Sequence, residues 1–450
     1  MSQTSRRVFL GSSAGPLLAA RQKLMPKSSG RILGANDRIN VALIGAGMRC
    51  QGLIGDYRRH RAKQDDFEFA AVCDIWEPRL KYTQEQTKAP KTFRDYREVL
   101  QQPDIDGVVV AVPDHLHYAI ASEACLAGKD VYLEKPMTYT VEQAAKLTEL
   151  VARTGRVLQV GGSGPNSQLL WKANEYIKSG KMGKILWGLI SYNRNNASGG
   201  EWDYPIPGLG GEAWPDAEVS PRNLDWNMWL GPARKRPFSA ERYFRWRKFW
   251  EYSGGNATDL LYHRLGMMST MVGFDFPTRV VGAGGIYIQK DREVPDTYMT
   301  MIEYPGEYSI NMISCMGNSQ SVPITVYGNW GTLQVAEATR SSARAGTSSG
   351  PGAVVKAERA FTKQFKEAND GKTEVAIDNE EGPSLTDDWL DCMRSRKEPV
   401  YNALRGYQVM VAIRLGVDSY RSGKTIGFDP VGRRILRDPV AHAEYPPKEA

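Results

Sequence analysis

The segment Val41-Ala-Leu-Ile-Gly45-Ala-Gly47 restricts what this chain can fold into more than any other stretch. An apolar run that breaks on two glycines reads as a buried strand turning sharply into a helix. Gly45 permits the tight turn, and Gly47 lets the backbone approach an anion at the helix N-terminus. The third glycine of the G-x-G-x-x-G spacing is missing, because Cys50 stands there and Gly52 follows two residues later. A G-x-G alone is a weak signal; its context strengthens it. A second apolar run, 67–73, ends in Asp74, 27 residues after Gly47. A carboxylate placed there accepts hydrogen bonds from a ribose and repels a 2′-phosphate, which favours NAD over NADP.

The surrounding pattern agrees with that reading. Strand-like runs at 38–44, 67–73, 107–112, 130–133 and 157–160 alternate with helical patterns at 51–63, 96–101, 117–127 and 141–154. Such alternation predicts a Rossmann-like, doubly wound parallel sheet. After Gly161 the texture changes. Residues 197–255 are rich in Trp, Pro, Gly and Arg and read as long loops with short helices. Runs at 279–289, 298–304, 308–316 and 324–335 sit at hairpin spacing and predict a mainly antiparallel sheet in a C-terminal α+β domain. Residues 341–353 read as a flexible loop, and helices return at 384–395 and 403–422. The expected divisions are a signal or flexible N-terminus (1–31), a dinucleotide domain (38–160), a substrate and oligomerisation domain (161–430) and a C-terminal tail (431–450).

Charge placement narrows the partners. The formal charge is +7, but residues 1–31 hold six Arg and Lys and no acid, so the remaining chain is close to neutral. That balance argues against nucleic-acid or anionic-membrane binding. The same terminus carries Ser5-Arg6-Arg7-Val8-Phe9-Leu10, which reads as a twin-arginine export address. Its apolar segment, 8–20, is too short to span a bilayer and suits a signal h-region. Ala19-Ala20 offers a cleavage site, although Leu18 departs from A-x-A. Export through this route carries folded proteins, and a dinucleotide enzyme outside the cytoplasm has no free nicotinamide pool to draw on. The five cysteines are scattered and contain no C-x-x-C, so neither a disulfide framework nor a zinc site is expected.

Two further segments carry chemistry. Glu134-Lys135-Pro136 follows the fourth strand, and a lysine at the C-terminal end of a parallel strand points into the cofactor crevice. Its ammonium can polarise a hydroxyl and favour an alkoxide-like transition state; an exposed Glu-Lys pair is the alternative. In Gly254-Gly-Asn-Ala-Thr-Asp259-Leu-Leu-Tyr-His263, a spacing of four puts Asp259 and His263 on one helix face. A neutral imidazole there can take a hydroxyl proton while the carboxylate fixes its orientation. A metal pair is the competing reading, but no third ligand lies nearby, so no metal is expected. After the third strand, His117 is expected near a nicotinamide and His115 in a structural role. The cluster Trp226, Trp229, Arg242, Tyr243, Arg245 and Trp246 suits either stacking on sugar faces or the core of a loop-rich region.

In this order the three segments resemble the Gfo/Idh/MocA oxidoreductases, from about residue 38 onward. Asp225-Trp226-Asn-Met-Trp229-Leu-Gly-Pro232 and Asp391-Cys-Met-Arg-Ser-Arg396 are similar to an exported bacterial subgroup. The resemblance implies a dinucleotide domain followed by an open-faced sheet that often mediates dimers or tetramers. It implies Lys135 as catalytic lysine, His263 as acid/base and Asp259 as its partner. Around NAD it implies Gly45, Gly47, Met48, Asp74, Pro113, His117, Glu134 and Lys135. Two departures stand out: Cys50 at the third glycine, and Gly266 where many members carry a second acid.

The expected function is NAD-dependent oxidation of a sugar, glycoside or polyol hydroxyl outside the cytoplasm, with NAD(H) held and recycled in each turnover. Recycling can run by hydride exchange with a second sugar. It can also run by transient oxidation, elimination of a glycosidic group and re-reduction. An ordinary cytoplasmic dehydrogenase and a catalytically silent sugar- or nucleotide-binding homologue are the alternatives.

Overall fold

A computed structural model of the chain describes residues 38–196, 200, 202–206, 218–336, 351–380 and 382–436. The twin-arginine segment, most of 341–353 and the end of the C-terminal tail lie outside the described residues.

The first sheet contains β1 (Ile39–Ile44), β2 (Phe67–Cys73), β3 (Lys91–Phe93), β4 (Gly107–Val110), β5 (Asp130–Leu133) and β6 (Leu158–Val160), ordered β3-β2-β1-β4-β5-β6. All its pairings are parallel. Helices cover both faces of a parallel sheet, so its inner strands are apolar throughout rather than alternating. Val108, Val109, Val110, Val131 and Leu133 are fully buried accordingly. The sheet has six strands where the sequence predicts five. The extra one, β3, is a short, half-exposed edge strand with no apolar run to announce it. Strand order reverses between β1 and β4, which opens a crevice at their carboxyl ends. The helix Val141–Thr154 starts on a reciprocal cap between Thr140 and Gln143, which satisfies two orphan amides.

The second sheet adds β7 (Ile185–Ser191), β8 (Arg279–Gly285), β9 (Thr297–Tyr304), β10 (Tyr308–Cys315), β11 (Thr325–Gly328), β12 (Gly331–Val335), β13 (Pro351–Ala357), β14 (Glu374–Asp378), β15 (Ile426–Asp429) and β16 (Arg434–Leu436). Their order is β14-β13-β12-β11-β7-β10-β9-β8-β15-β16. The pairings are antiparallel except for β7 with β10, which run parallel. Residues 351–353, expected in a flexible loop, belong to β13. The helices Gln168–Lys178, Tyr262–Val272 and Ala403–Ser422 pack on one face. Among the described residues, nothing covers Leu186, Met299 and Met301, which are exposed on the second sheet. The fold is thus α/β, a Rossmann-like sheet followed by a mainly antiparallel one. No described helix is long and apolar enough to cross a membrane.

The aromatic segment forms its own small core. Trp76, Trp226, Trp229, Tyr243, Phe244 and Tyr252 bury together beside the crevice. Trp226 and Trp229 stack at 4.7 Å, so these rings are structural. Trp246 lines the crevice, as do the edges of Trp229, Tyr243 and Phe244 from this core.

Candidate active site

At the cofactor end the geometry is made by backbone. Gly45 has φ +88°, and a Cβ there would lie 2.5 Å from the Ala111 carbonyl oxygen, so only glycine fits. Gly47 has an ordinary φ of −71°, and a Cβ would meet nothing closer than Arg79 at 3.7 Å. The space in front of the helix Met48–Lys63 is therefore open to an anion. Asp74 is almost fully buried, and its two oxygens accept from Ala46 N at 2.7 Å and Trp76 N at 2.8 Å. Burial pushes its carboxyl up against the pull of Arg79. Asp74 thus braces the glycine turn while lining the crevice with Met48 and Pro113. Cys50 is packed inside, its thiol pushed up to about 12 by burial. This backbone cradle, with clear space over a helix N-terminus, suits the pyrophosphate of NAD.

Glu134 faces the crevice from the end of β5. It accepts from Arg49 Nε at 2.6 Å and from the Lys135 amide at 3.2 Å. A Cβ at Gly161 would sit 2.7 Å from its carboxylate, so glycine makes room for it. His117 departs from expectation. It is fully buried and lines no part of the crevice, and its ring nitrogens face the carbonyls of Pro136 at 2.6 Å and Val112 at 2.8 Å. Two backbone acceptors within reach hold the ring away from the open side. His115 has the structural role expected of it: it bonds the Trp229 carbonyl, and burial pulls its imidazole down to about 4.

The reactive end is made by charged side chains. Lys135 Nζ donates to Asp259 Oδ1 at 2.7 Å and to the Asp259 carbonyl at 2.8 Å. Arg247 Nε donates to the same Oδ1 at 3.0 Å, and Trp202 Nε1 to Oδ2 at 2.9 Å. Burial alone would raise the Asp259 carboxyl, but Arg247 and Lys135 hold it well below the usual carboxylate range. Asp259 sits in a π-helical turn, Ala257–Leu261, that runs directly into the helix bearing His263.

The expected Asp259–His263 pairing is corrected by these contacts. The carboxylate is drawn to two cations, while a neutral imidazole offers it no charge. His263 Nδ1 lies instead 3.1 Å from Ser163 Oγ. Burial and then the nearby Lys135 keep the imidazole well below its ordinary value, hence neutral. In the tautomer that donates Nδ1–H to Ser163 Oγ, Nε2 is the basic nitrogen, and it has no hydrogen bond among the described residues. Gly266 is glycine for a steric reason: a Cβ would lie 2.6 Å from the Ser163 carbonyl, so an acid cannot stand there without displacing Ser163.

Arg49, Ser163, Trp202 and Arg247 escape the sequence reading. Ser163 carries a detectable signal, since it follows β6, whose carboxyl end borders that of β5. Arg247 lies between Trp246 and Lys248 in a stretch whose polarity looks like any solvated loop. No group of three or more potential metal ligands occurs among the described residues.

Fold and site together define a nicotinamide-dependent oxidoreductase. The description "Oxidoreductase family, NAD-binding Rossmann fold" matches residues 39–162, and its companion "C-terminal alpha/beta domain" matches residues 232–428. The chain belongs to the Gfo/Idh/MocA oxidoreductase family and uses NAD. Among curated relatives, glycosyl hydrolase family 109 protein 2 of a Shewanella species is 30% identical over 182 residues, covering 35% of this chain and 39% of that protein. The chain spans less than half the length of the curated relatives it matches first. Among solved structures, the WlbA dehydrogenase of Bordetella pertussis in complex with NADH and UDP-GlcNAcA is similar at TM-score 0.61 and 20% identity, over 87% of this chain and 99% of that one. A levoglucosan dehydrogenase in complex with NADH is similar at TM-score 0.62 and 18% identity, over 87% of this chain and 99% of that one.

Proposed function

We propose that the protein oxidises a hydroxyl of a sugar, glycoside or polyol. The observation that carries this reading is the pairing of a held lysine ammonium with a neutral histidine at the carboxyl end of β5. Bound NAD supplies the acceptor for the carbinol hydride. Lys135, oriented by Asp259, directs its remaining N–H at the substrate oxygen and stabilises the charge that develops there. His263 Nε2 takes the hydroxyl proton, and Ser163 holds the tautomer that makes this possible. The product is a carbonyl, one proton and reduced cofactor. Sugar chemistry is supported by the likeness to a levoglucosan dehydrogenase and to WlbA, which binds a sugar nucleotide.

Export by the twin-arginine address, with NAD(H) retained and recycled, belongs to the same proposal. The glycosyl hydrolase relative supports recycling by transient oxidation and re-reduction. The exposed sheet surface with Leu186, Met299 and Met301 is proposed to pair with a second copy of this chain. One experiment tests the central reading: nucleotide released by denaturing fresh protein is identified by mass, and intact protein is titrated with sugars at the NADH band. Stoichiometric NAD(H) that survives dialysis and changes redox state with sugar is expected. A protein that purifies empty and turns over only with added NAD removes the recycling proposal, and silence toward every sugar and polyol removes the substrate class.

A further inference from the structure

Arg247 has more donors than the fold uses. Its side chain is only 21% exposed, and Nε is spent on Asp259. Its two terminal amino groups make no hydrogen bond among the described residues, yet the residue lines the crevice beside Lys135 and His263. The guanidinium lies 4.2 Å from the Trp246 ring centroid and 5.8 Å from that of Tyr204, so its plane is fixed by aromatic neighbours. The terminal amino groups are not among the buried atoms left without a partner, so they open on the crevice and can exchange water for a ligand.

The local charge points the same way. Lys135 and Arg247 share one carboxylate, that of Asp259, so the trio retains one positive charge. Its walls include the indoles of Trp202 and Trp246, which limit screening by water. A further acid facing this corner is Asp114, which accepts from Thr258 Oγ1 at 2.9 Å. Burial pushes the Asp114 carboxyl up, against the pull of His117, Lys135 and Arg247.

We propose that Arg247 receives a carboxylate carried by the substrate, so that the preferred substrates are sugar acids of the uronate or aldonate type. A planar fork of two N–H groups matches a carboxylate in a bidentate arrangement, whereas a neutral hydroxyl uses only one of them and leaves the charge in place. The inference rests on the oxidoreductase reading for its chemistry but not for its binding.

The test uses the full chain with its bound nucleotide. D-glucuronate, D-gluconate, D-glucose 6-phosphate and D-glucose are compared by calorimetry for binding and at the NADH band for hydride transfer. The carboxylates are expected to bind about tenfold or more tightly than D-glucose. Arg247→Gln should erase that preference while Arg247→Lys keeps part of it, retained nucleotide serving as the check that both variants fold. Equal binding of D-glucose and the carboxylates overturns the inference, as does a preference that survives Arg247→Gln. Tightest binding of the phosphate overturns the carboxylate assignment in favour of a phosphorylated sugar. Selective carboxylate binding without any change at the NADH band supports the anion-binding corner and defeats the hydride-transfer reading instead.

Discussion

The two ends of the crevice are built by different means. The cofactor end is backbone: a glycine turn, a helix N-terminus, and a carboxylate whose hydrogen bonds from Ala46 and Trp76 hold that turn in place. The reactive end is side-chain charge: Lys135, Arg247 and Asp259, with His263 and Ser163 beside them. A backbone cradle tolerates changes of charge but not of shape. A charged cluster tolerates small changes of shape but not the loss of one member, since the rest were desolvated on the expectation of its presence.

That contrast can be broken in graded ways. The largest effect is expected from Lys135→Ala, which removes charge stabilisation without touching the cradle. Turnover should fall about 10³-fold or more, roughly 4 kcal/mol in the barrier. Bound nucleotide should remain, and single-turnover kinetics with a nucleotide assay would show both; unaltered turnover excludes Lys135 from the chemistry. Gly45→Val should do the reverse. Its left-handed φ and the collision with Ala111 predict a loss of about 2–3 kcal/mol in stability. Nucleotide retention should fail in parallel, and a variant that melts normally with a full complement of NAD would sink the cradle argument.

Smaller effects sharpen the comparison within the reactive end. Ser163→Ala should cost about tenfold in turnover by freeing the wrong imidazole tautomer. In the parent enzyme His263 is held well below its ordinary value, so the base stays neutral as the pH falls. The acid limb of the rate profile should therefore lie below about pH 6.5; a limb above that value contradicts the assignment of His263 as base.

The smallest effect lies away from both the glycine turn and the reactive end. His60 sits between Asp387 at 2.7 Å and Asp66 at 2.8 Å. It ties the helix that follows the glycine turn to the helix Leu385–Ser395. The hydrogen bond to Asp387 raises its imidazole, with Asp66 adding to this against the cost of burial. Asp391, Lys63 and Arg394 also face this cluster. A raised folded value means the contribution is complete below about pH 6.5 and fades as pH climbs through the folded value. His60→Gln should cost about 1 kcal/mol at pH 6 and progressively less at pH 8. Denaturant titrations at the two pH values would decide it, and a pH-independent difference would show that protonation plays no part.

The first sheet was legible because its strands are continuous apolar runs whose glycine turn follows in sequence. What escaped was the polar edge strand β3, the strand β7, whose Gly188 and exposed Leu186 dilute any pattern, and the outer strands β13 to β16 of the second sheet. In the site, Lys135 and His263 stood out because their motifs are local. Their true neighbours did not: Asp259 meets Lys135 across 124 positions, and Ser163 meets His263 across 100. The expected Asp259–His263 pair came from assuming that helical spacing decides partners. Charge decided instead, through Arg247 and Lys135, and no spacing rule announces a cation on a distant loop. His117 was misplaced for a related reason, as carbonyls of Val112 and Pro136 compete for its ring.

The central position of β7 bears on how the molecule comes into being. β7 lies between β11 and β10, so strands made far later in synthesis must close around one that emerged early. The helix Ala403–Ser422 then packs against both β8 and the helix Val141–Thr154 of the first layer. Contacts of such long sequence separation form slowly, after local structure. While the ribosome is still extending the chain, the glycine turn can already be folded, whereas the lysine has no carboxylate to meet. Nascent protein therefore acquires its capacity to hold a nucleotide before its capacity to use one.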